Sequence, residues 1–135
     1  MSAIQNIKRA AERLLLTITP AIPTAFEGVD FDPPSGMYQR CQFRIDDPTD
    51  PTFPAGYHRE NIEFQVFISG LKGEGTAAVL TRADLIRQTF YKSLTMTEGS
   101  TRIYILRTPK IGSAIPIQDR LIVPVLISLS AEVYS

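Results

Sequence analysis

The sequence predicts an α+β fold, in which a mainly antiparallel sheet of about four to five strands packs against two helices. Apolar residues recur every three or four positions in two segments, as in amphipathic helices, and alternate with polar residues in four others, as in half-buried strands. The four alternating segments form two consecutive pairs with the second helical segment between them. This order is typical of antiparallel strands whose helices cover one face. The length of 135 residues predicts a single domain, residues 1–135.

Both helices have recognisable boundaries. Ser2 stands three residues before Gln5, which is the spacing of a capping box. The apolar stripe of the first helix consists of Ile4, Ile7, Ala11, Leu14, Leu15 and Ile18. Pro20 and Pro23 end this helix, because proline donates no backbone hydrogen bond. The second helix is predicted from about Thr76 to Lys92, and its apolar stripe consists of Val79, Ala83, Ile86 and Phe90.

The strands are predicted from strict alternation of apolar and polar residues. They are Tyr38–Ile45, Ile62–Ile68, Arg102–Thr108 and Leu121–Val133. Thr24–Val29 is a short strand at best, since seven of the ten prolines lie from Pro20 to Pro54. Pro124 removes one donor from the last strand, so we expect this strand to be an edge there or to be bulged.

Two connections are longer than a compact domain needs. Asp46–Arg59 takes about fourteen residues, where a hairpin usually has about two to five. Thr108–Asp119 is the second long connection and holds Pro109, Gly112 and Pro116. We expect both to contact partners.

The inventory of reactive side chains offers little for catalysis. The single cysteine, Cys41, lies on the apolar face of its strand and is predicted to be a small buried hydrophobe. The single histidine, His58, is predicted in a proline-rich polar loop. The segment Asp46–Asp50 has the oxygens that calcium prefers but lacks the glycine and the distant glutamate of a calcium loop. No glycine-rich phosphate motif is present. We therefore expect no enzyme, no cofactor and no metal.

Fourteen basic and fourteen acidic residues balance, with a sequence pI near 6.6. A basic excess would be expected of a polyanion binder, so direct nucleic-acid binding is not predicted. No signal peptide is recognised, and the longest apolar run, Leu121–Leu129, is too short to span a membrane. Composition describes a soluble domain made inside the cell.

The charges are unevenly distributed along the chain. Residues 1–63 hold nine acids and six bases, a net charge of −3, so the remainder carries +3. Such a division suits head-to-tail self-association, in which unlike surfaces meet and close a ring. Chance variation of a solvated surface is the alternative, and the sequence does not decide between the two.

Taken in order, these segments resemble the tail terminator proteins of long-tailed bacteriophages, in the group related to the lambda minor tail protein U. The similarity runs over nearly the whole chain. It comprises the first helix, Ala25–Pro34, Tyr38–Phe43, Phe64–Gly75, Ala83–Phe90 and Val123–Val125.

The resemblance implies a structural role in the virion, at the head-proximal end of the tail, for a protein made in the host cytoplasm. Such tail completion proteins form a homohexameric ring that stops polymerisation of the tail tube and receives the head. The implied partners are further copies of the chain, the tail tube protein and the head–tail connector protein. The family's pattern supplies no catalytic residue.

For this role we predict two sets of interface residues. Pro109, Lys110 and Ile111 would face the tube or the ring seam. Acid-to-base contacts between neighbouring copies would join the loop residues Asp46, Asp47 and Asp50 to Arg102 or Arg107. Arg59, at the end of the same loop, is also predicted at the interface.

Two alternatives stay open. One is another head–tail connector or tail-tube component. The other is a small-ligand-binding domain, whose pocket would be lined by Tyr38, Tyr57 and His58.

Overall fold

The computed structural model describes residues 2–50 and 56–134. Two α-helices, α1 and α2, span Ala3–Leu16 and Ala77–Thr89. Within the described residues eight strands form one sheet, and in chain order they are β1 (Thr24–Ala25), β2 (Tyr38–Ile45), β3 (Tyr57–Leu71), β4 (Thr95–Glu98), β5 (Thr101–Ile105), β6 (Lys110–Ile111), β7 (Ile115–Ile117) and β8 (Arg120–Tyr134). A 3₁₀ turn, Lys72–Glu74, leads from β3 towards α2.

The strand order across the sheet is β1-β2-β3-β8-β5-β4, and β6 and β7 pair with β8 on the same side as β5. The central ladder joins β3 to β8 from Tyr57 opposite Tyr134 to Leu71 opposite Arg120 without a bulge. Because side chains alternate across a strand, each of these two strands places every second residue in the core. This long ladder is the frame on which the other elements are placed.

Both helices pack on the same face of the sheet, which we call the helix face. Phe64 of β3 lies at the centre of the core, with its ring stacked on Phe43 at 4.7 Å and tilted against Phe90 at 5.8 Å between centroids. The predicted capping box at the start of α1 is confirmed. Ser2 Oγ accepts from the Gln5 N–H at 3.2 Å, and Gln5 Oε1 accepts from the Ser2 N–H at 2.8 Å.

The α+β class is confirmed, whereas the predicted sheet is too small and not entirely antiparallel. The strands β4, β6 and β7 were not predicted, because segments of two to four residues are too short for alternation to show. β1 pairs with β2 in parallel, with Thr24 opposite Gln39. A parallel pair requires a crossover connection, and residues 26–37 supply one without regular structure.

Pro124 is accommodated differently from the prediction. β8 is an interior strand and is not bulged at this residue. The carbonyl of Pro124 accepts from the Gly112 N–H at 2.8 Å, so the side of the residue that lacks a donor faces the gap between β6 and β7. The missing hydrogen bond therefore falls where the neighbouring chain has no strand. A Cβ on Gly112 would lie 2.7 Å from Pro124 Cγ, so glycine is required for this close approach.

Both long connections are shorter than predicted. β3 begins at Tyr57, so His58 and Arg59 belong to a strand rather than to a loop, because they continue the ladder with β8. Residues 51–55 of the first connection lie outside the described residues. The second connection contains β6 and β7, which the edge of β8 holds in place.

Candidate functional site

The predicted acidic residues lie directly after β2. Asp46 is engaged within its own chain, since Arg44 Nε donates to Asp46 Oδ1 at 2.9 Å while Arg44 also reaches Glu63. The side chains of Asp47 and Asp50 are exposed, and neither is in an ion pair in the described structure. These two carboxylates are therefore the ones free to meet a partner.

The backbone of this acidic loop is fixed. Thr49 and Arg59 exchange two backbone hydrogen bonds of 2.8 and 2.9 Å. Asn61 Nδ2 donates to the carbonyl of Asp47 at 3.0 Å and to Thr49 Oγ1 at 2.9 Å. The exposed carboxylates consequently stand on an anchored loop, which lowers the entropy that a contact would cost.

The predicted basic residues are in different situations. Arg59 forms an ion pair with Glu132 at 3.3 Å, across the central ladder. Arg107 is exposed and lines a polar cleft of about 280 Å³ together with Asp46 of the same chain. Arg102 is exposed on β5, on the face of the sheet opposite the helices. Of the three, Arg102 and Arg107 are available to a partner.

The predicted contact Pro109–Ile111 is only partly accessible. Pro109 is buried, and its carbonyl accepts from Arg87 Nε at 3.0 Å, which ties the connection to α2. Ile111 packs partly against the core. Lys110 is exposed and lies opposite Leu126 on the uncovered face. Within this trio, Lys110 is therefore the exposed side chain.

A further feature appears only when the charges are placed on the sheet. Residues 24–50, which include β1 and β2, hold six carboxylates and two arginines, a net charge of −4. Residues 92–117, which include β4, β5 and β6, hold four basic residues and Glu98, a net charge of +3. The strands β1 and β2 of the first segment lie at one end of the strand order, and β4 and β5 of the second lie at the other, so the segment at one end has a net negative charge and the segment at the other a net positive charge. Asp46 and Arg107 nevertheless line the same cleft. The charge division between chain halves indicated the imbalance but not this placement.

The possible catalytic groups do not form a site. Burial raises the pKa of the Cys41 thiol to about 12, so the reactive thiolate is scarce at neutral pH. His58 Nε2 lies 3.5 Å from Glu60 Oε2 on the same strand. The predicted pocket of Tyr38, Tyr57 and His58 does not form: Tyr38 is opposite Ser69, whereas Tyr57 begins β3 twelve residues earlier, a separation of about 40 Å along the strand.

An open groove of about 490 Å³ follows the exposed side of α1 between Gln5 and Leu16. Among residues 2–50 and 56–134, no three histidine, cysteine or acidic side chains come together as a metal site. None of the described helices has the length and apolarity needed to cross a bilayer.

Two solved structures share this fold over essentially the whole chain. One carries a name that states no function, with 21% identity and a TM-score of 0.76, covering 100% of this chain and 99% of the other. The second belongs to the virion of a native gene transfer agent particle, with 12% identity and a TM-score of 0.68, covering 97% and 98%. At these identities the likeness shows the fold alone. No curated protein matches the chain.

A family model described as phage tail terminator protein matches residues 6–129. This range includes most of α1, all of α2, the acidic loop after β2 and most of β8. The chain therefore belongs to the phage tail terminator family, a structural family of phage tails.

Proposed function

We propose that this chain forms a homohexameric ring at the head-proximal end of the phage tail tube, where it stops polymerisation and offers the surface that joins the head. It acts by shape and carries out no catalysis. The observation that supports this most is the difference in net charge between the segment that contains β1 and β2, which is negative, and the segment that contains β4 and β5, which is positive, in a member of the terminator family.

Charge polarity favours a ring over a twofold dimer. A twofold axis brings the same patch of each copy together, so like charges would meet. A head-to-tail contact brings the acidic end of one copy to the basic end of the next, and such contacts close when the rotation permits. Asp47 and Asp50 would then face Arg102 or Arg107 of the neighbouring copy.

A ring of this kind ends growth because its two surfaces differ. Tube subunits polymerise when each layer offers the next layer the surface to which it was itself added. A terminator binds that surface and presents another, which the head–tail connector recognises. The family of the chain, and a relative of the same fold in the virion of a gene transfer agent, support a place in the particle. Lys110 and the neighbouring connection are proposed to contact the tube.

The test is to add the purified chain to polymerising subunits of the phage tail tube and to measure tube lengths by negative-stain microscopy. We expect mean length to fall as the ratio of chain to tube subunit rises, with a ring at one end of each tube. Lengthened tubes would instead indicate a tube component, and binding only to isolated connectors would indicate a connector. Either result contradicts the terminator proposal.

A further inference from the structure

One edge of the sheet is open at the end of β2. The Asp46 N–H donates to the Asn61 carbonyl at 2.9 Å, so the backbone groups of Ile45, one residue earlier, point away from β3. The Phe43 N–H points the same way and donates to Glu27 Oε2 at 3.1 Å. Among the described residues nothing bonds the N–H and C=O of Ile45 or the carbonyl of Phe43.

The opposite edge is open along β4. Leu94 turns its carbonyl towards β5, accepting from the Ile105 N–H at 3.0 Å, and Met96 follows two residues later with the same orientation. Alternation therefore turns the backbone groups of Thr95 and Thr97 outward. In the described part of the chain these outward groups have no hydrogen-bond partner.

The side chains at the two edges are complementary. Ile45 points to the helix face, like the buried Cys41, yet it is 55% exposed because neither helix reaches it. At the other edge an apolar groove of about 200 Å³ lies between β4 and α1, and Leu14 and Met96 line it. The groove is bordered by an ion pair in which Arg13 Nη1 lies 2.6 Å from Glu98 Oε1. One edge thus offers an apolar side chain and the other offers a groove for it.

The strand directions allow these edges to meet in a cyclic assembly. Four antiparallel steps, β2 to β3, β8, β5 and β4, separate the two edge strands, so β2 and β4 run in the same direction. A rotation about an axis roughly along the strands brings β2 of one copy beside β4 of the next. The pairing is then parallel, and the helices of both copies remain on the same side.

We propose that neighbouring copies of this chain join by parallel pairing of β2 with β4, with Ile45 opposite Met96 and its side chain in the groove between β4 and α1. The proposal rests on the ring put forward above and names its seam. In a parallel ladder, a residue whose N–H and C=O face the neighbouring strand bonds to two residues of that strand. These are the residues immediately before and immediately after the one directly opposite it. Ile45 therefore donates to the Thr95 carbonyl and accepts from the Thr97 N–H, while Thr95 donates to the free carbonyl of Phe43.

The same register accounts for the charges on the uncovered face. Asp46 comes beside Thr97 of the next copy, and Arg102 is opposite Thr97 on that copy's β5. The guanidinium of Arg102 is then one strand away from Asp46, and Asp47 and Asp50, whose carboxylates are free, follow in the acidic loop. Edge pairing and charge polarity thus require the same two surfaces.

The test uses pairs of cysteines in the full chain. We expect the Ile45→Cys, Met96→Cys double variant, oxidised and run without reductant, to give a ladder of covalent oligomers that ends at the ring's copy number. Each single variant should give at most a covalent dimer and no ladder, since the native Cys41 is buried and one accessible thiol can form only one disulfide. The matched control is the Ile45→Cys, Thr97→Cys pair, because Thr97 points to the opposite face and should give no ladder.

A second variant tests the backbone bonds. Thr97→Pro removes an N–H that faces outward and leaves the β4–β5 ladder intact, a position that proline tolerates on an edge strand. We expect the concentration at half-assembly to rise about tenfold or more, with an unchanged melting temperature, whereas Thr97→Val keeps the N–H and assembles normally. Sedimentation of both variants supplies the comparison.

The outcomes separate the seam from the ring. Rings that form normally from the Thr97→Pro variant, or a ladder from the Thr97→Cys pair in place of the Met96→Cys pair, overturn the seam and leave the ring standing. A wild-type chain that remains monomeric at every concentration and on tube ends overturns both.

Discussion

Arg82 carries a buried positive charge that connects three parts of the fold. It is 3% exposed, donates through Nη1 to the carbonyl of Pro20 and through Nε to Gln39 Oε1, and Gln39 in turn donates to Thr24 at 3.0 Å. Burial lowers the pKa of its guanidinium. The ammonium group of a lysine cannot make both of these hydrogen bonds with the geometry of the planar guanidinium. We therefore expect Arg82→Lys to lower the free energy of unfolding by about 1–2 kcal/mol. Urea unfolding measures this, with the exposed Arg9→Lys as control, and equal stability of the two variants would contradict it.

Glu27 makes stability depend on pH at the edge of β2. Its pKa is lowered first by the hydrogen bond from Lys8 Nζ at 2.7 Å and also by the Phe43 N–H, against the opposing effect of burial. A carboxyl with a lowered folded-state pKa stabilises the fold above its unfolded pKa and loses that contribution as the pH falls through the folded value.

We therefore expect the stability difference between wild type and Glu27→Gln to be about a few tenths of a kcal/mol at pH 7, since about a third of each side chain in the pair is exposed, and to be smaller at pH 3. Urea unfolding at the two pH values measures it. The same substitution in a Lys8→Met background should show a smaller pH dependence. A difference that grows towards acid would contradict the sign.

At the scale of elements, α2 meets β3 at Gly70. A Cβ at this position would lie 2.5 Å from Val79 Cγ1, so Gly70→Ala forces the helix away and should destabilise the fold by about 1–3 kcal/mol. Val79→Ala should restore part of this loss, and the double variant should be more stable than the sum of the two single effects. Gly73→Ala is the control, since no atom lies within 4 Å of its Cβ. Additive effects in thermal unfolding would show that the contact between the new Cβ and Val79 is not the cause of the destabilisation.

The sequence predicted the elements that bury a continuous apolar pattern. β3 and β8 alternate over many residues, and both helices present clear stripes, so the period shows in each. β6 and β7 are two and three residues long, and their place depends on the edge of β8, which no local pattern encodes. The parallel pairing of β1 was hidden for the same reason. The prediction that β8 is an edge or bulged at Pro124 was wrong. An interior strand can hold this proline because its side without a donor faces the gap between β6 and β7.

At the scale of the whole molecule, the candidate interface was predictable only as a list of residue types. The sequence showed acids after β2 and bases around β5, and the structure places β2 and β5 on opposite sides of the central ladder, with Asp46 and Arg107 lining one cleft. It did not show that Arg44 already forms an ion pair with Asp46, that Pro109 is buried, or that both edges of the sheet are open. These three properties depend on the tertiary arrangement of the strands. Polarity across a sheet is a tertiary property, and no spacing along the chain reports it.

That polarity predicts how charge reversal should act on assembly. Asp47→Arg with Asp50→Arg changes exposed side chains of an anchored loop, so the fold should persist while like charges meet across the seam. We expect the concentration at half-assembly to rise about tenfold, and Arg102→Asp with Arg107→Asp to have a similar effect. Combining all four changes should restore assembly in part, because the attraction returns with its sign exchanged.

Mass photometry across a range of salt concentrations measures these changes, since the electrostatic share weakens as salt screens it. Glu74→Lys with Asp84→Lys makes the same change in net charge beside α2, away from both edges, and serves as the matched control. If that control weakens assembly as much as the loop variant does, net charge rather than complementary ends governs association. If the fourfold variant is no better than either double variant, these residues do not face each other across the seam.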